Sequence, residues 1–249
     1  MAEPRRAART RVRELRLATD PACAAAYRLF RRTFPRAELL PRRDWSDALR
    51  ERNAGLWTDL GWHLVVAERD GRVVGAATGT YLGNVNVGII GYIAVAPSLR
   101  SLGIGPALRR RLRQAFERDA SNLRGRRLDA LVGEVRADNP WLRHLVRREG
   151  AIALDFAYYQ PSLGAGRSPV PLVLYYQPLR RPRPFLGAAE LRRLLYTMWR
   201  RMYRIAKPLM RPAFRRMLRA LAGRRRIGQR LLPPPATRAG GREHRERWP

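Results

Sequence analysis

The stretch Arg100-Ser-Leu-Gly-Ile-Gly105 carries the clearest chemistry in this chain. It lies between a β-rich run and an amphipathic helical run, so a strand should enter a tight turn and a helix should begin at once. Such a turn aims successive free backbone N–H groups at one point, and the helix dipole adds partial positive charge there. Glycine belongs where the backbone must approach an anion or take up positive φ. The natural guest is a phosphate or pyrophosphate; an ordinary strand-to-helix corner is the competing reading. Two other nucleotide motifs do not fit. A Walker loop needs Gly-Lys-Ser/Thr where this chain has Gly-Pro-Ala, and the dinucleotide fingerprint needs a third glycine where Leu108 stands.

Periodicity supplies the elements that must position this corner. Val12–Leu17 alternates and predicts a strand, and Asp20-Pro21 opens a helix that runs until Pro35. A short helix follows over Asp44–Asn53. Trp62–Glu68 and Arg72–Tyr81 are β-rich and joined by Asp70-Gly71, a hairpin signal, and Val85–Ala96 completes an antiparallel meander. The helix from Pro106 to Asn122 buries Leu108, Leu112, Ala115 and Phe116 and turns Arg109, Arg110, Arg111 and Arg113 away. Leu128–Arg136 predicts a strand, Trp141–Arg148 a helix closed by Gly150, and Ala151–Tyr159 and Val170–Tyr176 the last two strands. The fold class is α/β (α+β), a mixed and mostly antiparallel central sheet with helices on both faces.

Arg-x-x-Gly-x-Gly after a strand, in this element order, resembles the acyl-CoA pyrophosphate loop of the GNAT superfamily of N-acetyltransferases. A second segment, Glu134-Val-Arg-Ala-Asp-Asn139, resembles that family's strand-five signature. The resemblance covers about residues 11–178. It implies acetyl-CoA as co-substrate and no metal. The amides of Ser101, Leu102, Gly103, Ile104 and Gly105, with Arg100 at the start of the loop, would meet the pyrophosphate. Backbone groups of Ile93, Ala94 and Val95 would meet the pantetheine arm and the thioester carbonyl, and Asn139 would contact the cofactor or order a water near the sulfur.

Three departures bear on catalysis. Pro106 removes one amide the loop could have donated. The short-helix position where the family often keeps a tyrosine is Val146, and Val85–Pro97 holds no acidic residue. An alkylamine with a pKa of about 10.4 is almost wholly protonated at pH 7, so something must take its proton. Glu134 is the candidate base, through water, with a salt bridge to a nearby arginine as its alternative role. Tyr92, Tyr158 and Tyr159 are candidate acids or else strand aromatics. The chain's positive charge favours acceptor amines carrying a carboxylate or phosphate.

Of 249 residues, 51 are Lys or Arg and 20 Asp or Glu, for a net charge of +31. A single cysteine, Cys23, excludes a disulfide framework, and His63, His144 and His244 are too scattered to predict a metal site. The longest apolar run is too short to span a bilayer, and the basic start lacks a signal-peptide core, so the expected location is cytoplasmic. Residues 180–249 hold 21 basic and 3 acidic groups. The expected organisation is a basic tail at 1–10, the acyl-CoA-binding domain at 11–178, a basic amphipathic helical extension at 187–232 bent at Pro208 and Pro212, and a disordered tail at 233–249. That extension suits an anionic surface, membrane or nucleic acid, or a homodimer contact. The leading function is acetyl transfer to a small-molecule or peptide amine. Two alternatives stand beside it: a catalytically silent acyl-CoA-binding module, and an adaptor acting through the basic helices.

Overall fold

The computed structural model describes residues 9–161, 163 and 168–232. The expected tail at 233–249, and residues 1–8 of the one at 1–10, lie outside them. An eight-stranded sheet forms the centre, in the order β1 (Arg11–Leu15), β2 (Leu60–Arg69), β3 (Arg72–Leu82), β4 (Val87–Val95), β5 (Ala130–Val135), β8 (Val170–Pro178), β6 (Ile152–Ala153), with β7 (Tyr158–Gln160) also on β8. Every pairing is antiparallel except β4 with β5. The β2–β3 hairpin turns on Asp70 and Gly71, both left-handed, as a two-residue Asp-Gly turn requires.

Pleat alternation sorts the helices. On β5, Leu131 belongs with the face covered by α3 (Ile104–Arg124), and Val132 with the opposite face. α4 (Pro140–Glu149) lies on the α3 side, against Val173 and Tyr175 of β8. α1 (Pro21–Thr33) and α2 (Arg42–Asn53) cover the other face over β2–β4. Phe116 of α3 is fully buried: a Cβ at Gly79 or Gly88 would come within 2.5 Å or 2.1 Å of its ring, so these two glycines make its socket. Arg109, expected to face outward, is buried. Its guanidinium bonds Glu149 and, at 2.5 Å, Gln177, tying α3 to α4 and β8. His63 is also buried and bridges Glu14 and Asp119 at 2.7 Å each, linking β1, β2 and α3.

The 187–232 segment is built into the domain. β9 (Phe185–Gly187) and β10 (Arg226–Gly228) pair with each other and flank α5 (Ala188–Thr197) and α6 (Pro212–Ala220). Leu191, Leu194, Trp199, Phe214 and Met217 share one core with Ile89, Val132 and Leu174 of the sheet. α5 and α6 therefore fill the face beside α1 and α2. Two local expectations need correction. The helix does not continue to Pro208: it loosens into a π turn at Met198–Met202 and ends there, two residues before Arg204, whose φ is +56°. The strand expected at 151–159 breaks after Ala153: the Leu154 amide still donates to the Leu174 carbonyl of β8 at 3.0 Å, while its other edge bridges to Gln229.

Candidate active site

The site begins with a defect in the sheet. Opposite Thr78 and Gly79 of β3 stand Tyr92 and Ile90 of β4, which leaves Gly91 as an extra residue. Such a bulge bends its strand and sharpens the twist. The parallel pairing of β4 with β5 runs only from Val87 opposite Ala130 to Ile90 opposite Gly133. Beyond that point the strands part, leaving backbone of Ile93–Val95 unpaired on the β5 side. Into the gap opens a cavity of about 680 Å³.

At one end lies the loop that leaves β4. Pro97–Leu99 makes a short 3-10 turn, Ser101 and Gly103 take φ of +70° and +72°, and α3 starts at Ile104. Among the described residues, no acceptor takes the amides of Ser101, Leu102 or Gly103, and the first helical bond is from Ala107 to Gly103. A Cβ added at Gly103 or Gly105 would meet nothing within 4 Å, so both face open space that a side chain would begin to fill. Free amides ahead of a helix N-terminus can hold an anion such as a pyrophosphate. Arg100, Ser101, Gly103, Ile104 and Gly105 line the cavity, as do Ile93 and Val95. Leu102 points to solvent and Ala94 packs against α1 and its neighbours, so these two offer backbone only. Asn139 is at the rim, but its side chain caps α4 by accepting from the Trp141 amide at 2.9 Å. Val146 packs in the α4 core rather than facing the cavity.

At the other end stands Glu134. On the Val132 face of β5, its carboxylate accepts hydrogen bonds from the phenols of Tyr158 and Tyr203. No arginine pairs with it among the described residues. Burial pushes its pKa up to about 7, against the pull of the two phenols, and the nearby Glu38 carboxylate pushes the same way. Glu38, in the loop between α1 and α2, is itself raised by burial, with the charge of Arg136 drawing it down. Both carboxylates line the cavity.

The three tyrosines on β4 and β7 part company. Tyr158 is buried, does not line the cavity, and burial beside Glu134 drives its pKa well above the ordinary range. Its phenol is committed to the Glu134 carboxylate as a donor. Tyr159 points away, under the guanidinium of Arg216 at 5.6 Å. Tyr92 donates to the Glu38 carbonyl at 2.6 Å and accepts from the Leu40 amide at 3.1 Å, pinning the α1–α2 loop. Sequence reasoning missed Glu38, Met202 and Tyr203, all cavity residues. Only its being the one acidic residue of the loop between α1 and α2 marked Glu38 beforehand.

The family profile described as Acetyltransferase (GNAT) family matches residues 23–150, and the chain belongs to that family. A solved structure agrees on the fold. A Bacteroides thetaiotaomicron protein described as a GNAT-family acetyltransferase is 18% identical, with TM-score 0.56, covering 78% of this chain and 99% of its own. The ribosomal-protein-S18-alanine N-acetyltransferase of Escherichia coli is 19% identical over 70% of this chain and 96% of its own, at TM-score 0.47. A Salmonella typhimurium protein described as an acetyltransferase, solved with acetyl-CoA, is 17% identical over 70% and 95%, at TM-score 0.48. Among the curated proteins nothing matches significantly. No helix among the described residues is long and apolar enough to cross a membrane.

Proposed function

We propose that the protein is an acetyl-CoA-dependent N-acetyltransferase with Glu134 as its general base. The observation that carries this is one cavity holding both an amide cradle at Ser101–Gly105 and a carboxylate whose pKa burial brings to about 7. The bound thioester supplies the electrophile. Glu134 takes a proton from the acceptor's ammonium, directly or through one water. The free amine nitrogen then forms a bond to the thioester carbonyl carbon, the C–S bond breaks, and the thiolate leaves with its electron pair. It is reprotonated by the proton the nitrogen sheds or by solvent. Unpaired backbone N–H groups of β4 would stabilise the charge that the carbonyl oxygen gains, a contribution of about 3–4 kcal/mol in such sites. Alignment of amine and thioester supplies a further ~7–11 kcal/mol.

The test is calorimetric titration of acetyl-CoA into wild type and an Arg100→Glu/Gly103→Glu variant of equal foldedness, followed by thiol release with an amine panel. Micromolar binding that the variant loses, with amine-dependent release, supports the enzyme. Binding without release leaves the silent module, and no binding removes the reading.

A second reading concerns the outer face of the extension. Leu191–Leu232 contains no acidic residue. On α6, Arg215 and Arg219 lie one turn apart and exposed, with Arg211 one turn before them, and none has an acidic partner among the described residues. Leu209 and Met210 beside them are 54% and 67% exposed. Cations next to exposed apolar side chains suit an anionic phospholipid surface. Co-sedimentation with phosphatidylserine vesicles, lost in Arg211→Glu/Arg215→Glu/Arg219→Glu, is the expected outcome; binding to RNA but not vesicles would replace lipid by nucleic acid.

A further inference from the structure

The acceptor is left open by the acetyl-transfer reading, on which this inference rests, and the walls of its end of the cavity narrow the choice. Phe34, Trp45, Trp62 and Met202 are apolar, and Glu38 and Glu134 are the acids. Trp45 and Trp62 lie 5.9 Å apart and tilted, part of an aromatic cluster that includes Phe30, Phe34 and Tyr92. Met202 and Tyr203 come from the C-terminal segment, which is fastened across this end. Arg204 grips Glu51 at 3.0 and 2.6 Å, Arg201 pairs with Asp59 and lies over Trp57 at 4.8 Å, and Asn84 donates to Thr197 at 2.9 Å.

We propose that the acceptor is a small monoamine on an apolar body, its cationic nitrogen held by Glu38 and Glu134, its body against Phe34, Trp45, Trp62 and the Met202 wall. Aromatic faces favour a cation, and two carboxylates favour it further. The sequence-based lean toward amines carrying a carboxylate or phosphate is thereby reversed, because the local charge near the reacting nitrogen is acidic although the chain is basic. Arg136 is the cation on this cavity whose charge reaches Glu38. Against Phe34, Trp45, Trp62 and Met202 themselves a second ammonium, as in a polyamine, would meet no acid and a peptide backbone no side-chain acceptor. Further acids, Asp44 and Glu51, line an adjoining small pocket, and the other polar lining includes Thr33, Thr78, Thr80 and Gln160. Tyr203 is a positioning residue in this scheme: it fixes the Glu134 carboxylate from a segment 69 positions away.

The experiment uses the full chain, acetyl-CoA and four probes: phenethylamine, spermidine, phenylalanine and a short peptide with a free N-terminus. Phenethylamine should exceed the others in kcat/KM by about tenfold or more, the discrimination expected when a charge is stranded in an apolar pocket. Tyr203→Phe removes a donor that favours the ionised carboxylate, so the acid limb of its pH–rate profile should move to higher pH; a merely structural role would leave the limb in place. Met202→Trp should raise the phenethylamine KM about fivefold or more while acetyl-CoA affinity is unchanged. Turnover confined to phenylalanine, spermidine or the peptide would overturn the monoamine assignment and leave acetyl transfer standing. Acetyl-CoA binding with no turnover of any probe overturns this inference and the activity together, and absent acetyl-CoA binding removes the earlier reading itself.

Discussion

The loop at Arg100–Gly105 and the chamber around Glu134 face one cavity but are made of different material. The loop offers backbone: amides without acceptors, two left-handed residues, and glycines with open space beyond them. It is contiguous in sequence, so its geometry is set locally by the turn and by the start of α3. The chamber offers side chains from distant segments. Glu38 comes from the α1–α2 loop, Glu134 from β5, and Met202 and Tyr203 from the far end of the chain. The contrast teaches that the donor end is a local conformation, whereas the acceptor end exists only in the assembled fold. Changes at each end should therefore fail differently.

The largest expected effect is at Glu134. Glu134→Gln keeps an acceptor for one phenol, turns an NH2 donor to the other and removes the base, so kcat should fall by about 10²- to 10⁴-fold, with acetyl-CoA affinity preserved by calorimetry. A comparable loss of affinity would place Glu134 in cofactor binding and erase the contrast.

The same substitution should raise stability at alkaline pH. A carboxyl raised in the folded state binds more protons folded than unfolded, so its contribution is most favourable below the ordinary carboxylate range and declines as pH rises toward about 7. Displacement from 4.5 to about 7 corresponds to roughly 3 kcal/mol. Urea melts at pH 8 should show Glu134→Gln more stable by up to that amount, and little difference at pH 4.

At the donor end, Gly105→Val places a side chain in the cradle without touching the chamber. Acetyl-CoA should bind about 10- to 100-fold more weakly, a cost of ~1.4–2.8 kcal/mol, while the acid limb of the pH profile stays fixed. The smallest effect is at the strap. Arg204→Ala removes a half-exposed pair with Glu51, worth about 0.2–1 kcal/mol in melts. If the strap walls the chamber, KM for an amine should still rise.

What was legible in the sequence follows the same division. Asp20 as a cap, the Asp70-Gly71 turn and the Gly103–Gly105 corner are local, and each forms where its residues demanded. Glu134 was marked by its place in a strand ending before a capped helix, but its two phenolic partners were not. Tyr203 sat in a run whose apolar spacing suited one continuous helix. The break at Met198–Met202 answers to packing of Trp199 on Phe214 and to the grips on Glu51 and Asp59, which no local signal records. Arg109 was assigned outward because it is charged, yet the part-buried Glu149 and the buried Gln177 hold its guanidinium inside. The strand was carried on past Leu154 because Gln229, which bridges to it there, is too far along the chain to be read.

The central claim is that Glu134 is the base of this site, and the most direct measurement is kcat/KM for an accepted amine against pH, in wild type and Glu134→Gln. The expected result is an acid limb near pH 7 in wild type that disappears in the variant, leaving a low rate that follows only the amine's own ionisation. An unchanged limb in Glu134→Gln, with activity near wild type, would contradict the account.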